Sequence, residues 1–189
     1  PCRETGRASH FSPSGIIGGM GYRVRRTRRE DWQELRELRL AALRDPVAPL
    51  AFYEPYDEAA SLLREDWERR AAGGGTTTFV GEDEQGAWCG MLSVFDDSGR
   101  TYVVGVYLLP EHRGTGLAGE LMSAAFARAG DREVRLRVHE HNTRAVRFYR
   151  SLGFRPTGLS DPDPRDPSLR AYELALRPVP HHDRRHRHG

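Results

Sequence analysis

The stretch Arg113-Gly114-Thr115-Gly116-Leu117-Ala118-Gly119 has the composition of a phosphate cradle. It follows an apolar, strand-like run, Tyr102–Leu109, closed by Pro110. It leads into Leu117, Leu121, Met122, Ala125 and Phe126, which recur at helical spacing. A strand, a glycine loop and a helix leave several backbone N–H groups unpaired at the helix start. Those donors and the helix dipole favour a phosphate or pyrophosphate. Gly114 and Gly116 carry no Cβ, so a ligand can approach the backbone closely. Farther along, Tyr149 carries a phenol of pKa about 10, able to donate a proton or hydrogen bond. Taken alone, Tyr149 also reads as core, because Ala145, Phe148, Tyr149 and Leu152 make one apolar helical face.

Two nucleotide motifs compete for the glycine loop. A Walker loop is excluded, since no Gly-Lys-Ser/Thr follows. Gly114-Thr115-Gly116-Leu117-Ala118-Gly119 does spell the dinucleotide pattern GxGxxG, and Glu140 lies about twenty residues on, after the next strand. Two features count against it. Pro110-Glu111-His112-Arg113 intervene between strand and turn, and the preceding chain reads as antiparallel hairpins rather than as strand–helix–strand units.

The other pattern is R-x-x-G-x-A, from Arg113 to Ala118. A second stretch, His141 to Phe154, contains N-x-x-A-x-x-x-Y-x-x-x-G-F, with Asn142, Ala145, Tyr149, Gly153 and Phe154 at the fixed positions. In this order, with one helix and one strand between them, the two patterns resemble the signatures of the GNAT (GCN5-related) N-acetyltransferases. The resemblance covers about Tyr22 to Leu176, and its sharp motifs lie within Val106–Phe154.

The resemblance implies acetyl-CoA as co-substrate and no metal. Pantetheine would lie between splayed fourth and fifth strands, against the backbone of Val106, Tyr107 and Leu108. The pyrophosphate would take the N–H donors of Arg113, Gly114, Thr115, Gly116, Leu117, Ala118 and Gly119, with Arg113 adding charge. Asn142 would cap the following helix and reach the cofactor, and Ala145 would leave room beside it. Tyr149 would protonate the departing thiolate, while a strand N–H near Leu108 polarises the thioester carbonyl. The base that takes the amine's proton is not legible. Glu54, Glu58, Glu111, His139 and His141 are all candidates, and Glu58 ranks first because that wall faces the acceptor in related folds.

The elements that must position these groups follow from periodicity and turn chemistry. Tyr22–Arg26 reads as a first strand and Thr27-Arg28-Arg29-Glu30 as a capping box. A helix is expected to about Arg44, with Trp32, Leu35, Leu38, Ala42 and Leu43 inward. Its arginines read as a solvated face paired with Glu30, Glu34 and Glu37. Asp45–Pro55 holds too many prolines for one helix. Asp57–Ala72 reads as the second helix, with Leu62, Leu63 and Trp67 inward, closed by Gly73-Gly74-Gly75. The cluster Phe52-Tyr53-Glu54-Pro55-Tyr56-Asp57-Glu58 offers an aromatic wall with carboxylates, suited to a cationic amine. Thr76–Gly81, Ala87–Phe95 and Arg100–Leu109 form an antiparallel meander. Glu133–Val138 should run parallel to the last of these, since a helical crossover separates them. A helix Thr143–Leu152 follows, then a strand beginning at Phe154–Thr157, an extended Pro-Asp loop Ser160–Pro167, and a final strand Arg170–Leu176. The whole is α+β, as the resemblance also implies: a mixed, mostly antiparallel sheet of six to seven strands flanked by about four helices.

Composition bounds the rest. At 189 residues, with Lys+Arg 29 against Asp+Glu 27, the chain suits one ordinary domain, and its near-balanced charge points to neither nucleic acid nor membrane as partner. No apolar run approaches a membrane span. Cys2 and Cys89 are the only cysteines, a structural disulfide is not expected, and a reducing cytoplasm is the natural compartment. Residues 1–20 read as a disordered extension, with Met20 near the natural start. Residues 21–177 read as the domain, and 178–189, with His181, His182, His186 and His188, as a solvated basic tail. The expected activity is acetyl transfer from acetyl-CoA to a primary amine of a small molecule or peptide. A non-catalytic acyl-CoA sensor and a dinucleotide-binding module are the alternatives. A homodimer is expected by family habit alone.

Overall fold

β-Branched and aromatic residues concentrate in several of the runs that become strands. The strands are β1 (Arg23–Arg26), β2 (Thr77–Glu82), β3 (Trp88–Asp97), β4 (Arg100–Leu108), β5 (Val134–His139), β6 (Arg155–Pro162) and β7 (Arg170–Leu176). In the computed structural model, which describes residues 21–177, they form one sheet in the order β1-β2-β3-β4-β5-β7-β6. Every neighbouring pair is antiparallel except β4–β5, which is parallel. The mixed sheet expected from the sequence is therefore present, with its crossover where the helical connection requires it.

The β4–β5 pairing is short. It joins Thr101 to Val134, Tyr102 to Arg135 and Val103 to Leu136, and then stops. Beyond that point β5 stays with β7 along its whole length, so the sheet opens into a wedge. The cause lies in β4. Met91 pairs with Tyr107 but Ser93 pairs with Val104, so Gly105 and Val106 together oppose Leu92. This is a β-bulge, and it bends the strand away from its parallel neighbour. Gly105 takes φ +63° there, a left-handed value natural to glycine. The bulge also reverses side-chain alternation. Val103, Val106 and Leu108 pack with one core layer, while Tyr107 goes to the other.

The helices are α1 (Trp32–Arg44), α2 (Ala48–Ala51), α3 (Tyr56–Ser61), α4 (Arg64–Ala72), α5 (Leu117–Ala129) and α6 (Thr143–Ser151). Two core layers sandwich the sheet. α1 to α4 cover one face over Val80, Met91 and Tyr107. α5 and α6 cover the other over Leu92, Val94, Val103 and Leu136. α5 is seated by its first residue. A Cβ on Gly81 would lie 2.4 Å from Leu117 Cδ1, and one on Gly90 3.3 Å from Leu117 Cδ2. Glycine at both positions leaves room for the Leu117 side chain against the sheet.

Several local expectations are corrected. Six α-helices stand among the described residues where about four helices were expected. The Asp57–Ala72 helix is two, broken at Leu62-Leu63, and Leu63 is 69% exposed rather than inward. The N-terminal box closes between the Arg28 N–H and the Asp31 carboxylate at 2.7 Å. The Thr27 hydroxyl instead donates to the Ala71 carbonyl, tying β1 to α4. The first three residues of the Pro-Asp loop, Ser160 to Pro162, are strand, because β6 runs on to Pro162 and pairs with Arg170. Expectations for residues 1–20, including Cys2 and Met20, and for the histidine tail after 177 lie outside the described residues. Among those described, Cys89 is buried, and no helix is long and apolar enough to cross a membrane.

Candidate active site

The glycine loop supplies an open array of donors. Gly116, at φ +94°, caps α5, and Gly114 takes φ +78°. Among the described residues the N–H groups of Gly114, Thr115, Gly116, Leu117 and Ala118 find no acceptor, and they gather at a helix start where an anion is favoured. A Cβ at Gly114 or Gly116 would meet nothing within 4 Å, so the loop is open at both glycines. The donor set fits a pyrophosphate. Two details differ from the sequence-based expectation. The Gly119 N–H is already bonded to the Gly116 carbonyl at 3.0 Å, so it is not among the free donors. Arg113 does not face the loop. Its Nη2 lies 2.5 Å from Asp45 Oδ2, and its Nε donates to the Leu108 carbonyl at 3.2 Å. The charge expected at the phosphates is paired with Asp45 instead.

Two cavities meet where β4 and β5 part. The smaller, about 250 Å³, is lined by Val106, Leu108, Arg113, Gly114, Ala118, Asn142, Ala145 and Tyr149. The structure thus gathers one residue group from the bulged strand, one from the glycine loop and one from α6, as the two sequence motifs require. Thr115, Gly116, Leu117 and Gly119 stand outside that lining, and the Leu117 side chain is core. Tyr107 turns to the opposite layer, its hydroxyl donating to Asp45 at 3.2 Å. Burial and the Asp45 carboxylate push its pKa up to about 12. The larger cavity, about 820 Å³, is walled by α1, α2, α4, β3 and β4. It shares Ala51, Val103, Val104, Gly105, Leu136 and Arg137 with the smaller one. A co-substrate in one and an acceptor in the other would meet at the Gly105 bulge.

Asn142 caps α6, its Oδ1 accepting from the Ala145 N–H at 3.3 Å. Tyr149 is held by ring contacts to Phe148 and Phe154. Among the described residues its hydroxyl has no hydrogen-bond partner. Burial pushes its pKa well above that of an ordinary phenol, so it stays protonated and able to donate.

The candidate bases separate. Glu58 is exposed and lines neither cavity. Glu54 lines the larger one but is bound by two guanidiniums, Arg39 to Oε2 and Arg70 to Oε1, each at 2.8 Å. Burial raises its pKa, and the two arginines outweigh that and hold it below the usual carboxylate range. The wall carboxylate that faces the cavity is therefore already held by two arginines. His139 is buried and lines neither cavity. Its Nδ1 accepts from the His141 N–H and its Nε2 lies 3.7 Å from Asp163 Oδ2. The sequence also concealed Arg39, Arg70 and Asp45. Arg39 read as part of the solvated face of the first helix, and nothing local marks Arg70 or Asp45 as the partner of a residue so distant in sequence.

The sheet contains a single parallel pair, so the GxGxxG reading of 114–119 has no doubly wound domain to occupy. Comparison with known proteins agrees. A family model described as acetyltransferase (GNAT) family matches residues 32–154. Mycothiol acetyltransferase of Thermobispora bispora is 52% identical over 59 residues, a match covering 30% of this chain and 19% of that protein. Among solved structures, yncA of Salmonella typhimurium, with its cofactor acetyl-CoA, superposes with a TM-score of 0.64 at 21% identity, covering 83% of this chain and 94% of that one. A GCN5-related N-acetyltransferase of Kribbella flavida gives a TM-score of 0.63 at 21% identity, covering 83% and 98%.

Proposed function

Since this chain belongs to the acetyltransferase (GNAT) family, we propose that it moves an acetyl group from acetyl-CoA to a primary amine by direct attack. One observation carries this: the wedge between β4 and β5 is bounded at one end by the unpaired N–H groups of 114–118 and lined by Tyr149, and it opens into a second, larger cavity. Acetyl-CoA supplies the activated acyl group, a thioester open to an uncharged amine.

The chain's own residues do the rest. The 114–118 donors hold the pyrophosphate. Beyond Val103 the edge of β4 has no strand partner, and apart from the Leu108 carbonyl, which Arg113 holds, it offers backbone groups to pantetheine. The bulge turns Val106 and Leu108 toward that space. The Tyr149 hydroxyl gives its proton to the sulfur as the carbon–sulfur bond breaks. The amine enters through the larger cavity and loses its proton to water there, since Glu54 is already paired with arginines.

Two measurements test this. Acetyl-CoA should raise the melting temperature in a concentration-dependent way and NAD should not, because only a ligand of the native state shifts it by mass action. Acetyl-CoA mixed with an amine panel should release free thiol. Stabilisation without thiol release for any amine would convert the protein into an acyl-CoA sensor.

A further inference from the structure

The larger cavity holds a charge arrangement that acetyl-CoA does not use. Arg39, from α1, and Arg70, from α4, share the one carboxylate of Glu54. Two guanidiniums against one carboxylate leave a cation uncompensated. Asp161, outside the cavity, pairs with Arg137 on its wall. The remaining lining carboxylate, Asp97, sits at the far end of β3 beside an exposed turn.

The surplus has a definite direction. Arg39 uses Nε and Nη2 on Glu54, and its plane lies over the Phe52 ring, 4.5 Å from the centroid. Its Nη1 has no partner among the described residues. That nitrogen lies 3.7 Å from where a Cβ on Gly105 would be, at the bulge shared by both cavities. Its side chain is only 18% exposed. Desolvation depresses its pKa in spite of the Glu54 bond, as expected of a cation lacking full compensation. An anion at Nη1 would complete a two-and-two square of charges and give the fork its second acceptor.

We propose that the acceptor is a free α-amino acid, whose carboxylate binds Arg39 Nη1 and whose amine is thereby presented at the Gly105 bulge. This rests on the acetyl-transfer reading and narrows it. In an α-amino acid the amine and the carboxylate are borne by one carbon, so an anion fixed beside the bulge places the nucleophile there as well. A polyamine would bring positive charge against Arg39 instead. The remaining wall, with Phe52, Trp67, Phe95 and Tyr102, leaves room for an apolar or aromatic side chain.

The test compares each of the common L-amino acids with its own C-terminal amide, and with spermidine. Calorimetry on the CoA-loaded protein reads binding, and thiol release reads turnover. The amide keeps size and shape but loses the charge. Its amine is also less basic and so more fully deprotonated at neutral pH, which means chemistry alone favours the amide. At least one amino acid should bind about tenfold or more tighter than its amide and be turned over faster, the scale of a lost charge-assisted contact. In Arg39→Gln that preference should collapse.

An amide or spermidine bound as well as the amino acids would overturn the proposal while leaving acetyl transfer intact. So would an acid preference that survives in Arg39→Gln, or no binding of any amino acid to the CoA-loaded protein. CoA binding, measured first, reads the underlying assignment separately, and its absence would remove both. The wild-type comparison decides the acceptor class even if Arg39→Gln folds poorly.

Discussion

Arg113 lays its guanidinium against Asp45, Nη2 to Oδ2 at 2.5 Å, and turns away from the glycine loop that it introduces. Asp45 follows α1, so this pair ties the helical layer to the loop between β4 and α5. The Asp45 side chain is 5% exposed and that of Arg113 26%. The carboxylate also accepts from the Val47 N–H and the Tyr107 hydroxyl. The pair is more a structural clasp than a phosphate contact. Arg113→Ala should therefore cost stability, by about 1–3 kcal/mol for a mostly buried carboxylate losing its cation, while CoA affinity falls less than about tenfold. Urea unfolding and calorimetry on the same variant separate the two effects. Near-complete loss of CoA binding with stability intact would return Arg113 to the phosphates.

Gly116→Glu should give the opposite pattern. The space in front of Gly116 is open, so a side chain there strikes no neighbour, but its backbone is left-handed at φ +94° and strain should cost about 1 kcal/mol. The carboxylate would occupy the anion position and repel the phosphates. CoA binding should vanish in a protein that still unfolds cooperatively. Unchanged calorimetric affinity would remove the loop from the site.

Gly90→Ala tests how α5 is held. A Cβ there would stand 2.4 Å from Leu108 Cδ2, 2.9 Å from the Tyr107 carbonyl and 3.3 Å from Leu117. The first can rotate away, but the backbone oxygen cannot without moving β4. We expect a loss of about 1–3 kcal/mol, as for overpacking a tight core, and weaker CoA binding because β4 and the α5 start shift together. A stable variant with full affinity would show that the strands re-space freely.

The sequence made the motifs legible because their chemistry is local. A glycine loop before an apolar helical face, and an Asn cap before Tyr149, announce themselves within a few residues. So do the meander turns at Asp83–Gly86 and Asp96–Gly99. Relations between distant residues were hidden. Nothing near Gly105 signals a bulge, because the extra residue exists only relative to Leu92 on the neighbouring strand. Arg39 and Arg70 each sit in a charged helix, where a solvated arginine is the ordinary case, and only tertiary contact converges them on Glu54. Glu58 stands exposed and outside both cavities, and that too was hidden. A loop's composition does not say which of its carboxylates turns inward. Leu62-Leu63 looked like a helical pair and became a helix break, which local propensity does not resolve.

Acid should loosen the helical layer. Burial raises the pKa of Asp45 and of Glu54, but their bonds to Val47 N–H and Arg113, and to Arg70 and Arg39, hold both below the usual carboxylate range. A carboxyl whose folded pKa is depressed stabilises fully above its unfolded pKa, about 4, and loses that contribution as pH falls through the folded value. The urea midpoint should thus be flat from neutral pH to about 5 and fall below about 4. In Asp45→Asn the midpoint should start lower and fall less steeply. An identical slope in that variant would assign the acid lability elsewhere.

Tyr149→Phe addresses the chemical step itself. The ring packs on Phe148 and Phe154, with centroids 5.4 and 5.9 Å away, and phenylalanine keeps those contacts. The hydroxyl has no partner among the described residues, so its removal breaks no internal hydrogen bond, and the melting temperature should hold. CoA affinity should change little, because the donors at 114–118 are untouched. Turnover should fall by about 10²-fold or more, the usual scale of a lost general acid, or about 2.7 kcal/mol of barrier. Because burial raises the Tyr149 pKa well above the ordinary phenol value, the wild-type rate should show no loss from ionisation of this group up to about pH 10. Steady-state kinetics across pH, with a melting curve and a CoA titration on the same samples, test all of these together. Full turnover in the Phe variant would leave thiolate protonation to water and return Tyr149 to the core. A rate that falls only in parallel with stability would do the same, since a group acting on the leaving sulfur must lower turnover in a protein that is otherwise intact.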